Sequence, residues 1–329
     1  MSTSKPLALV YGGTGTTGSS IVAALLERGH FDVGIITRPV SASKPAVLGL
    51  KEKGVHIRIG DAEKDDVGAL AKALSGASVL ISAVSARGLD TQFRLFDAAK
   101  AAGVERVVPC DFGTYTPRGV RAMADLKYDI RDHIKILGLG HTFIDVGWWM
   151  QLSVPFPSSV KSDFVAGLSL EFCGEGDKKN AITDLNGIGK FVARIVEDEC
   201  TLNQYVFVWG EERTEAECWA IAQRAAGEDF ESRKTRMTGE DLLRRAKEAK
   251  EKILALPDPK AADFTTHVYQ SFTEYQYSIH IRGDNTVANA KAAGALDARE
   301  LYPDVEVTSF EEFAKGFYAS PPSLYDDGY

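Results

Sequence analysis

Six short apolar runs punctuate the first half of the chain, at 7–11, 33–37, 56–59, 79–83, 106–109 and 141–146. Most are apolar at nearly every position instead of alternating, the pattern of strands covered on both faces. Between them lie 21–28, 65–74, 92–102 and 125–137, where apolar residues recur at helical spacing. Strand and helix in strict alternation predict an α/β fold, a doubly wound parallel sheet built from βαβ units. After about Val146 the rhythm breaks: Trp148, Trp149, Pro155, Pro157 and the glycine-rich stretch 173–177 arrive within thirty residues. A second, smaller lobe is therefore expected, with residues 1–150 forming the sheet domain and 151–329 mainly the other lobe, some of its segments returning to the first. Helices at 188–196, 216–226 and 240–254 and a strand at 204–209 are expected there. The tail at 320–329, rich in Pro, Asp and Gly, is open to two readings, free in solvent or latched onto the body.

Composition narrows the classes of partner. The 329 residues are 44% hydrophobic and 26% charged, ordinary for a globular chain with a sizeable core. A formal charge of -8, with no Lys/Arg run, leaves no field for a polyphosphate backbone, so nucleic acid is not an expected partner. No apolar run is long enough to span a bilayer, and a polar N-terminus leads straight into the first strand. A cytoplasmic protein with no membrane partner is the expectation. Cys110, Cys173, Cys200 and Cys218 are too scattered for a CxxC site, and the six histidines form no HxxxH or HExxH pair, so no metal is expected.

The first strand runs directly into Gly12-Gly13-Thr14-Gly15-Thr16-Thr17-Gly18, a GxxGxxG turn opening a helix. Spaced glycines let the backbone approach a pyrophosphate, and free N–H groups with the helix dipole stabilise its charge. Strand before, helix after and N-terminal position make this a Rossmann dinucleotide site, with Gly12, Thr14, Gly15, Thr16, Thr17 and Gly18 as cofactor-binding residues. The second strand ends at Thr37-Arg38, where an NAD-preferring site would place a carboxylate for the ribose hydroxyls. A guanidinium there pairs with a 2'-phosphate, so NADPH is the expected cofactor, and Lys44 could add a second positive group. Asp32 precedes the strand and belongs at the opposite edge. Asp61, after the third strand, has two candidate jobs, contact with the adenine or capping the helix near Asp65. Ser82, Ala83 and Val84 close the fourth strand with residues small enough for a ribose and nicotinamide to pass over.

No YxxxK dyad occurs; in the expected region stands Lys127, in Lys127-Tyr128-Asp129-Ile130-Arg131. At this point the chain resembles the NmrA-like branch of atypical short-chain dehydrogenases, and within it the isoflavone reductase and phenylcoumaran benzylic ether reductase group. The matching elements are the 12–18 turn, Arg38, the segment 102–109 leading to Asp111-Phe112-Gly113, the KxxIR element at 127–131, and Leu301-Tyr302-Pro303-Asp304-Val305. The resemblance spans nearly the whole chain. It implies an NADPH-dependent reductase delivering hydride to a benzylic, conjugated-alkene or carbonyl carbon of an aromatic, phenylpropanoid-like molecule, with Lys127 as general acid/base beside the cofactor and Phe112 in the cofactor site. Chemistry agrees, since an ammonium can stabilise or protonate the oxygen on which charge develops. Cys110-Asp111 stands where the plant-type reductases have Ser-Glu, a departure that bears on substrate. Trp148, Trp149, Met150 and Gln151, with Phe93, are the substrate-binding candidates for a flat apolar pocket, packing between lobes being the other reading. The alternative function is an NmrA-like dinucleotide sensor without catalysis, and a homodimer is a candidate assembly.

Overall fold

The computed structural model describes residues 5–160 and 163–321; the expected tail lies mostly outside the described residues. Strands β1 (Leu7–Tyr11), β2 (Asp32–Thr37), β3 (His56–Ile59), β4 (Val79–Ser82), β5 (Arg106–Val108) and β6 (Gly140–Val146) alternate with helices α1 (Thr16–Arg28), α2 (Pro45–Glu52), α3 (Val67–Leu74), α4 (Gln92–Ala102) and α5 (Ala122–Ile136). The chain continues through β7 (Trp148–Trp149), α6 (Asp163–Ser169), β8 (Glu171–Cys173), β9 (Lys179–Thr183), α7 (Ile188–Glu197), β10 (Gln204–Val208), β11 (Glu211–Thr214) and α8 (Glu215–Ala226). It ends with β12 (Thr235–Met237), α9 (Gly239–Leu254), α10 (Phe264–Gln276), α11 (Val287–Ala292), β13 (Leu296–Asp297), α12 (Ala298–Leu301) and α13 (Phe310–Ala319).

The main sheet has the order β13-β10-β6-β5-β4-β1-β2-β3, and its described pairings are parallel. Successive strand residues point to opposite faces, and across the inner strands both faces are dry. Val10, Ile35, Ile81, Val108 and Ile144 pack on one side with Ile21, Val22 and Leu25 of α1 and Ile188, Phe191 and Ile195 of α7. Their neighbours Leu9, Ile36, Leu80, Val107 and Phe143 pack on the other with Leu70 and Leu74 of α3, Leu95 and Phe96 of α4, and Ile130 and Ile134 of α5. Each such fully buried side chain contributes about 1.5–3 kcal/mol. The segments at 188–197 and 204–208 thus return to the first layer system, with Tyr205 to Val208 of β10 in register with Phe143 to Val146 of β6. Arg106 of β5 is buried among these apolar strands because its guanidinium donates to the carbonyls of Ile195, Val196 and Asp198 at 3.0–3.1 Å, closing the C-terminal end of α7.

At Gly147 the chain leaves the sheet, and Trp148–Trp149 joins a three-stranded sheet of order β11-β9-β7. Together with the β12-β8 pair and helices α8, α10 and α13, it surrounds a second core containing Trp148, Phe172, Trp219, Phe230, Phe310 and Phe317. This core stands over the C-terminal ends of the parallel strands, the edge at which an open α/β sheet binds ligands.

Candidate active site

The turn after β1 is shaped by contacts that exclude any side chain. Gly12 has φ +84°, and a Cβ added there would lie 2.4 Å from the Ala83 carbonyl oxygen; one on Gly18 would lie 2.2 Å from that of Gly12. Gly15 N–H donates to the Gly12 carbonyl at 3.0 Å, and α1 then starts with Gly15 as its N-terminal cap, no side-chain cap bond and no acidic residue in its first turn. Uncapped amides at a helix start form an anion site. The turn also lies where the strand order reverses between β1 and β4, in the crevice expected to take a dinucleotide. Thr14, Gly15 and Thr16 are exposed around it and Thr17 is half-buried.

Arg38 follows β2 in extended backbone, exposed, and among the described residues its side chain forms no ion pair; exposed Lys44, at the start of α2, likewise has none. Asp61 is buried and serves its own loop: its Oδ1 accepts Glu63 N–H at 3.1 Å and its N–H donates to Asp65 Oδ2 at 2.8 Å. The capping role belongs to Asp66, whose carboxylate accepts Ala69 N–H at 2.7 Å. Ser82 is buried at the end of β4, Ala83 N–H donates to the Tyr11 carbonyl at 2.8 Å, and the Val84 carbonyl accepts Cys110 Sγ–H at 3.1 Å. Burial pushes the Cys110 thiol up to about 11, so it stays protonated and inert. A compact anion cradle with two unpaired cations at the next strand end fits a dinucleotide carrying an extra phosphate.

Lys127 lies on α5, half-buried, and its Nζ donates to the Asp111 carbonyl at 2.8 Å. Four residues on, Arg131 occupies the same helix face and is buried. Its Nε donates to Asp111 Oδ2 at 2.8 Å and its Nη2 to Asp145 Oδ1, while Tyr205 Oη donates to Asp145 Oδ2 at 2.7 Å. Desolvation, followed by repulsion from Asp145, raises the Asp111 carboxyl to about 6 against the opposing pull of Arg131. The arginine of KxxIR thus clamps the loop whose carbonyl carries the lysine amine. Sequence reasoning missed this network; its signal was Asp145 inside an otherwise apolar strand.

Above this edge lies a cavity of about 270 Å³, near the lower end of small-molecule pockets. Its floor comes from the loops after β4, β5 and β6, with Ala86, Phe112, Gly113 and Trp149; its walls are aromatic and aliphatic, with Phe164 of α6 and Phe264 and Phe272 of α10. Trp148, Trp149, Gln151 and Phe112 all line it. The Gln151 amide is already bound at both ends, donating to Asp184 at 2.8 Å and accepting Leu185 N–H at 3.3 Å. Met150 and Phe93 are not brought to this cavity. Met150 is fully buried in the second core, and Phe93 packs on the sheet with its ring edge-on to His133 at 5.3 Å. Unforeseen was Tyr275 on α10, a lining residue whose helix was not expected from the sequence.

The glycine cradle, the cations after β2 and a lysine beside an apolar cavity define a dinucleotide-binding α/β protein with a separate small-molecule chamber. The chain belongs to the NmrA-like family, whose sequence profile matches residues 4–314. It is 33% identical over 313 residues to the asnovolin J 5',6'-dehydrogenase of Aspergillus novofumigatus (strain IBT 16806), covering 93% of each chain. It is 27% identical over 325 residues to an isoflavone reductase-like protein of Olea europaea, covering 95% of this chain and 99% of the relative. The solved structure of AtPrR2 with NADP+ and (+)pinoresinol superposes with a TM-score of 0.75 at 26% identity, covering 96% of this chain and 99% of that one.

Proposed function

We propose that this protein is an NADPH-dependent oxidoreductase of the isoflavone reductase-like kind, acting on an aromatic, phenylpropanoid-like small molecule with Lys127 as general acid/base. One observation carries the reading: a lysine amine held at a fixed carbonyl, beside an aromatic-walled cavity, on the sheet edge that also bears the glycine cradle. Bound NADPH supplies a hydride equivalent. The Gly12 to Gly18 turn and the α1 amides would hold its pyrophosphate, and Arg38 with Lys44 its 2'-phosphate. The apolar walls exclude water and orient a flat ring system, so that charge developing on a substrate oxygen faces the Lys127 ammonium in a weakly screened space. The same arrangement serves dehydrogenation in the reverse direction, the activity named for the Aspergillus relative. Support comes also from AtPrR2, whose solved complex contains NADP+ and (+)pinoresinol.

The test is calorimetric NADPH binding followed by hydride transfer to a panel of aromatic enones, ketones and benzylic ethers, for the wild type and Lys127→Met. Tight binding with turnover, and turnover lost in the variant while binding persists, is the expected result. Absence of NADPH affinity sinks the reading; affinity without oxidation of NADPH on any compound turns it into a dinucleotide sensor.

A further inference from the structure

The tyrosine that reductases commonly carry one helical turn before the lysine is absent from α5, yet a tyrosine reaches the lysine from the other lobe. A methyl group placed on Gly113 would lie 2.9 Å from Tyr275 Oη and 3.1 Å from Lys127 Nζ. The phenol of α10 and the amine of α5 therefore converge on the gap that Gly113 leaves open. Arg121 completes the group: its guanidinium stacks over the Tyr275 ring at 3.8 Å, and among the described residues its Nε and Nη1 are buried with no hydrogen-bond partner. Trp148 packs against the same ring at 5.1 Å and fixes its plane.

The cavity's two serine hydroxyls have spent their protons, and the threonine is held by a cation. Ser169 and Ser271 donate to the carbonyls of Ala166 and His267 at 2.8 and 2.9 Å, and Thr114 accepts from Arg121 at 3.1 Å. Among the described residues the Tyr275 O–H is directed at nothing but the Met123 sulfur at 4.0 Å, while Arg121, a donor, faces the phenol oxygen. A phenol with an unspent proton, aimed at an apolar chamber beside an ammonium, is built to donate to something that enters.

We propose that Tyr275 is a second catalytic residue of this site, donating its proton to the substrate oxygen while Lys127 and Arg121 hold the phenolate it leaves. The inference rests on the reductase reading above and concerns carbonyl or enone substrates. The substrate carbon gains the hydride from the reduced nicotinamide, its π pair withdraws to oxygen, and the oxygen takes the proton as the Tyr275 O–H bond breaks. The phenolate regains a proton from the Lys127 ammonium, which is reprotonated from water once product leaves, so Lys127 remains the site's general acid and charge and atoms balance.

The charges facing the phenol are Lys127, Arg121 and, opposing them, Asp145. Burial works to raise Tyr275, but the two cations outweigh it and leave the phenol below its usual 10.0. Tyr11, Tyr115, Tyr128, Tyr205, Tyr302 and Tyr318 all move the other way, chiefly through burial, so Tyr275 ionises before them.

An ultraviolet titration of the cofactor-free protein reads this directly. The wild type is expected to show a phenolate band rising below pH 10.0 that Tyr275→Phe removes and Lys127→Met shifts to higher pH. In turnover with an aromatic ketone, Tyr275→Phe should lower kcat by about 10²-fold or more with KM little changed, and Gly113→Ala, which fills the gap between the groups, should do the same. Superimposable titrations of the wild type and Tyr275→Phe overturn the proposal, as does a Tyr275→Phe enzyme with full kcat. A protein that binds NADPH but never oxidises it sinks the reductase reading, and this assignment with it; an active enzyme indifferent to Tyr275→Phe sinks this assignment alone.

Discussion

Replacing Glu215 by Gln should change how stability depends on pH, and the structure supplies the size of the effect. Glu215 opens α8, and its Oε2 accepts Cys173 N–H at 2.9 Å, tying that helix to β8 beneath the cavity. His280 Nδ1 stands 3.8 Å away, and both side chains are under 9% exposed. Burial raises the carboxyl from 4.5 to about 8 and lowers the imidazole to about 3. At neutral pH both are uncharged, so the contact is a packed neutral pair and not an ion pair. The folded pKa of Glu215 lies above its unfolded value; its contribution is fully present below pH 4.5 and is lost as pH rises through about 8. At about 1.36 kcal/mol per unit, the wild type loses up to roughly 3 kcal/mol from this group between about pH 5.5 and pH 9. Gln keeps an acceptor oxygen for Cys173 and cannot ionise. Urea unfolding of both proteins across that range cancels every other titration they share. Between about pH 5.5 and pH 9, Glu215→Gln should gain on the wild type by up to about 3 kcal/mol. Parallel stability curves would show that the carboxyl does not titrate as a buried acid.

Arg38→Gln should weaken NADPH binding by about 10- to 100-fold, the worth of one charge-assisted phosphate contact, while NADH affinity hardly moves; equal losses for both cofactors would remove Arg38 from the 2'-phosphate site. Gly18→Ala forces a Cβ to within 2.2 Å of the Gly12 oxygen and should abolish NADPH binding in calorimetry, whereas Gly49→Ala, with nothing within 4 Å, should raise helix stability by about 0.5–1 kcal/mol. Lys127→Met should cut kcat by about 10²- to 10⁴-fold with NADPH affinity retained, measured by single-turnover kinetics and calorimetry side by side.

The features legible in the sequence are those whose physics is local. A strand buried on both faces must be mostly apolar, so the inner strands could be read to within a residue or two, and the edge strand β3 by its place in the alternation. The glycine turn could be read because only glycine tolerates the backbone of Gly12 and the contact at Gly18, and Arg38 because it directly follows a strand end. Lys127 came from its motif, but its lodging on the Asp111 carbonyl did not. The network of Arg131, Asp111 and Asp145 joins one helix to two strand ends, and charges are tolerated there only because packing brings them together. Tyr275 and Arg121 meet across the two lobes, and Glu215 becomes an acid of about 8 only once β8 and His280 close over it. Sequence alone determined the backbone cradle and the sheet that bears it, since these depend on the intrinsic shape of each residue. Tertiary structure alone decided which polar groups lose water and which neighbours they then face, because desolvation and charge proximity are properties of the packed chain.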